Sequence, residues 1–132
     1  MNILDNKFWL DSDGIEYKEE YVENEINQYT RKGGKIFIGS DSMFCSGRCS
    51  FVTVIALHDK GLNIAKYYYK RIKHTSNAYE DLKTKIFEEV NMSLQLAEHV
   101  TSICPDANIE LHVDIGKQQA NKTKKFYSLV KG

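Results

Sequence analysis

Apolar residues fall on both parities of the stretch Lys35 to Ser42, with Ile36 and Ile38 on one side and Phe37 on the other. That pattern suits a central strand covered on both faces. It ends in Asp41 between two serines, which places a carboxylate at the tip of a rigid element. Cys45-Ser46-Gly47-Arg48-Cys49 then reads as a hairpin loop, and Ser50 to His58 as a second strand apolar on both faces. Asp59-Lys60-Gly61 turns the chain into a third strand over residues 62–73, where Lys66, Lys70 and Lys73 predict an exposed edge. Ile109, Leu111, Val113 and Ile115 alternate strictly with Glu110, His112 and Asp114, a fourth strand that again ends in an acid.

Two helices are written between these strands. Tyr17, Tyr21, Val22 and Ile26 are spaced for a helix over residues 16–31 that Gly33-Gly34 terminates. Asn77 with Glu80 three residues on predicts a cap for a longer helix running to about Ile103. Leu82, Ile86, Val90, Ser93, Leu94, Leu96, Ala97 and Val100 form its apolar arc, and Glu89 falls inside that arc. A buried acid is costly unless it is paired or binds metal. After Gly116 a short basic helix, with Lys117, Lys122, Lys124 and Lys125 beside Phe126, Leu129 and Val130, closes the sequence without a fifth strand.

Three strands joined by tight turns are antiparallel, and a helical crossover returns the fourth parallel to the first. Asp41 and Asp114 then end at the same edge of the sheet. Two neighbouring carboxylates repel unless a cation neutralises them. With Glu89 as a third oxygen donor, the set suits Mg²⁺ or Mn²⁺ rather than zinc. His112 shares the face of Asp114 and is placed to orient a carboxylate or move a proton.

At 132 residues the chain predicts one domain, with residues 1–32 an N-terminal extension and 33–132 the core. No apolar run reaches the roughly 20 residues of a membrane span, and no secretory signal opens the sequence. Three cysteines without repeated spacing fit the reducing cytoplasm. Asp11 and Asp13 hint at a calcium loop, but Val22 stands where its bidentate Glu is required. Cys45 and Cys49 lack the further ligands of a zinc site.

The zero net charge conceals an uneven distribution: eight acids and four bases over 1–32, two and seven over 33–76, eight and two over 77–116, none and five over 117–132. The two basic stretches are either solvated faces or a rim that draws a polyanion such as DNA or RNA towards the acids.

Ile38-Gly39-Ser40-Asp41-Ser42, Glu88-Glu89-Val90 followed by Ser93-Leu94-Gln95-Leu96-Ala97, and Leu111-His112-Val113-Asp114-Ile115-Gly116 resemble the ribonuclease H-like superfamily, and within it the YkuK-like family. The resemblance covers about residues 33–132. It implies an α/β fold with a five-stranded mixed sheet between helices and a two-metal nuclease site, in which Asp41, Glu89 and Asp114 would bind the ions. In a nuclease the terminal lysines could contact phosphates; a solvated helix face is the alternative reading. Such enzymes usually draw a fourth acid from beyond a fifth strand, and residues 117–132 hold none. Two functions therefore stand side by side: a metal-dependent nuclease, and a non-catalytic module that binds nucleic acid or protein.

Overall fold

The computed structural model describes residues 3–61, 64–75 and 77–113. Its elements are β1 (Phe8–Leu10), β2 (Glu16–Lys18), α1 (Glu19–Arg31), β3 (Lys35–Cys45), β4 (Arg48–His58), β5 (Ile64–Thr75), α2 (Leu82–Ile103) and β6 (Ile109–Val113), with short 3₁₀ turns at Ile3–Asp5 and Asn77–Glu80. The six strands form one mixed sheet in the order β2-β1-β5-β4-β3-β6.

The centre follows the pattern of apolar residues. β3, β4 and β5 pair antiparallel in turn, and β6 pairs parallel to β3 from Ile36 opposite Ile109 to Ser40 opposite Val113. The β3–β4 hairpin is tighter than predicted. Ser46 and Gly47 both have positive φ, the conformation of a two-residue type I′ turn whose twist matches that of the strands. As a result β3 runs on to Cys45, and Asp41 lies opposite Val52 within the ladder rather than at a strand tip.

Both helices pack on one face of the sheet. Val22 and Ile26 of α1, with Leu96 and Val100 of α2, bury against Ile36, Ile38, Ile55, Leu57 and Tyr68. α1 ends where Gly33-Gly34 predicts: the N–H of Gly33 donates to the Thr30 carbonyl and that of Gly34 to Tyr29, the paired bonds of a Schellman motif.

Three predictions need correction. The cap of α2 is Asp81, whose side chain accepts from the Thr84 N–H, because Asn77 to Glu80 are used in a separate turn. Residues 16–18 are strand rather than helix, so the N-terminal segment adds two strands to the sheet. β5 is not an edge: β1 joins it through Leu10 opposite Tyr69. Lys70 accordingly is buried, 1% exposed, and its ammonium reaches the Asn6 carbonyl and Glu19.

Candidate functional site

Successive residues of a strand face opposite sides of its sheet, and this decides where the acids of the candidate site lie. Ser40 and Ser42 share the face of Ile36 and Ile38, towards α2. The Ser40 hydroxyl is bonded to Ser93 of α2 at 2.7 Å and to Thr53 of β4 at 3.0 Å. One step along, Ser42 donates its hydroxyl to Oε2 of Glu89. Glu89 is 8% exposed, so the acid on the apolar arc is a buried carboxylate held by a serine. Asp41, between the two serines, is exposed on the opposite face.

Ser42 nonetheless links the two acids. Its backbone N–H donates to Asp41 Oδ1 at 2.8 Å, so both carboxylates are bonded to one residue. The neighbouring strand ends its described pairing at Ser40 opposite Val113, one residue short of both Asp41 and Asp114. Asp114 and Lys117, Lys122, Lys124 and Lys125 lie outside the described residues.

His112 is exposed on the face that carries Asp41. Its Nε2 is 3.5 Å from Glu110 Oε1, and its ring meets Phe37 edge-on at 4.8 Å. Lys35 bonds Glu110 at 3.1 Å, which lowers the Glu110 pKa, with His112 adding to the effect.

The donors around Ser42 fit a hard cation. They are carboxylate and hydroxyl oxygens, the ligands Mg²⁺ and Mn²⁺ prefer. A buried soft donor, the Cys49 thiol, lies close to Ser42, its pKa raised chiefly by burial and also by Glu89.

Sequence reasoning missed a second grouping. Glu19 and Glu23 of α1 converge with His99 of α2, their ligand atoms within 4.8 Å of one another; this is the one such trio among the described residues. His99 Nε2 stands 3.9 Å from Glu19 and 3.8 Å from Glu23. Glu19 is already compensated by Lys70, 2.7 Å away, so the trio reads first as part of a half-buried polar network. The i, i+4 spacing of the glutamates was visible; the helix–helix contact that adds His99 was not.

No curated protein and no solved structure matches the chain. The family model described as Ribonuclease H-like matches residues 19–132, and its mixed sheet with a parallel strand returned by a helical crossover is the architecture found here. The chain belongs to the ribonuclease H-like family.

Proposed function

We propose that the chain is a divalent-metal-dependent nuclease domain acting on nucleic-acid phosphodiesters, with Asp41, Glu89 and Asp114 as its metal-holding acids. The observation that carries this reading is the bonding of Asp41 and Glu89, 48 positions apart, to the single residue Ser42, on the strand that β6 flanks. Mg²⁺ or Mn²⁺ held by these acids would supply charge neutralisation and water activation in a two-metal hydrolysis.

The chain's own part is positional. Ser42 orients Glu89, the Ser40–Ser93–Thr53 hydroxyls fix α2 against β3, and Glu110 and Phe37 restrain His112 near Asp41 for proton movement. Lys117, Lys122, Lys124 and Lys125 are proposed as phosphate contacts on the strength of the sequence alone, as are the YkuK-like affinity and the cytoplasmic location.

One observation favours the alternative, a nucleic-acid- or protein-binding module without turnover: Asp41 lies on the sheet face away from α2, and a metal shared with Glu89 must be reached around the strand edge. Cleavage assays on DNA and RNA with Mg²⁺ or Mn²⁺ decide between the two. Turnover that Asp41→Asn abolishes supports the nuclease; salt-sensitive binding without turnover supports the module.

A further inference from the structure

The sheet face opposite the helices carries a surface that the metal site does not explain. Cross-strand register sets Gly39, Val54 and Tyr69 in one row, Asp41, Val52 and Arg71 in the next, and Met43, Ser50 and Lys73 in a third. Among the described residues no helix covers these rows, and the second and third rows, with Val54 of the first, line a depression of about 510 Å³. Arg71 lies over the ring of Tyr69 with its guanidinium carbon 5.8 Å from the centroid, and Tyr67 on the same face is 45% exposed. Arg48, opposite Thr75, extends the row of cations. Against Arg48, Arg71 and Lys73 these three strands set one acid, Asp41.

Tyrosine rings, a guanidinium within cation–π reach of one of them and an apolar floor of Val52 and Val54 present surfaces to unstacked bases, while the cations answer phosphates. A duplex keeps its bases stacked inward and cannot use the rings. Residues 117–132 are a poor occupant, since their five lysines and no acid repel the same cations. We infer that this open face is a binding platform for single-stranded nucleic acid, with Arg71 and Tyr69 at its centre. The inference rests on the nucleic-acid reading above and deepens it, because a strand lying on the platform passes beside Asp41.

The test is fluorescence anisotropy of labelled dT12, rU12 and a 12-base-pair duplex with the full chain, without divalent metal, over a salt series. Single strands should bind at least tenfold more tightly than duplex. Arg71→Ala with Lys73→Ala should weaken single-strand binding at least tenfold and flatten its salt dependence. Tyr69→Ala should cost about tenfold and Tyr69→Phe little, all with unchanged circular dichroism. Equal affinity for duplex, or wild-type binding by these variants, would overturn the platform even if the protein cleaves. So would nuclear Overhauser contacts from Phe126 to Val52 and Val54, which would make the occupant the chain's own segment. Binding as expected with no cleavage under Mg²⁺ or Mn²⁺ would instead leave the platform standing and remove the nuclease.

Discussion

Ser42 donates its hydroxyl to the buried carboxylate of Glu89, joining the middle of β3 to α2. A buried carboxylate that loses a donor bears a desolvation cost of about 1–3 kcal/mol. Ser42→Ala should therefore lower the unfolding free energy by that amount, read from the urea midpoint at unchanged slope. Ser42→Thr, which keeps the hydroxyl, should cost less.

Lys70 sits beneath the ring of Trp9, 4.6 Å from its centroid, and pairs with Glu19. Burial pulls its pKa below that of a free lysine, and Glu19 opposes the pull. Removing one partner of such a pair leaves the other desolvated, at about 3–5 kcal/mol. Lys70→Met should be destabilising to that extent, and adding Glu19→Gln should recover part of it. A double-mutant cycle in urea should give a coupling of about 0.5–3 kcal/mol.

Gly34 is buried between the end of α1 and β4. A Cβ there would lie 2.8 Å from the Tyr29 carbonyl oxygen and closer still to that of His58. Both obstacles are backbone, so neither can swing aside. Gly34→Ala should cost several kcal/mol, of the order of about 4 kcal/mol for severe overpacking, and a thermal melt should show it.

Tyr68 is 3% exposed, and burial raises its phenol from 10.0 to about 12, with Lys66 opposing. A raised folded-state pKa gives stability that is full below pH 10 and is lost as pH rises towards 12. Absorbance titration at alkaline pH should show a late tyrosine step near pH 12 that Tyr68→Phe removes, and Tyr68→Phe should flatten the fall of stability across that window.

The sequence revealed what short-range patterns encode. The double-sided apolar runs of β3 and β4, the alternation of β6 and the arc of α2 each reflect burial within one element. The helical crossover predicted β6 parallel to β3, and the two strands pair as neighbours. Contacts from distant segments were hidden. Phe8–Leu10 and Glu16–Lys18 are three-residue strands, too short to show a period, and they extend the sheet beyond β5, the first pairing with β5 and the second with the first. Lys70 looks like an edge lysine until Glu19, Asn6 and Trp9 surround it. Asp41 was legible as an acid at the end of a strand, but its place inside the ladder depended on Ser46-Gly47 extending the hairpin, and Ser42 appeared as a flank rather than the residue that binds both acids.

The central claim is that Asp41 and Glu89 hold a divalent cation beside Ser42. Mn²⁺ titration followed by NMR tests it most directly, since the ion broadens resonances around its site. Broadening should begin at Ser40–Ser42 and Glu89 and be lost in Asp41→Asn, with Asp114→Asn testing the third acid in the same way. Broadening centred on Glu19, Glu23 and His99, or a pattern unchanged by Asp41→Asn, would contradict it.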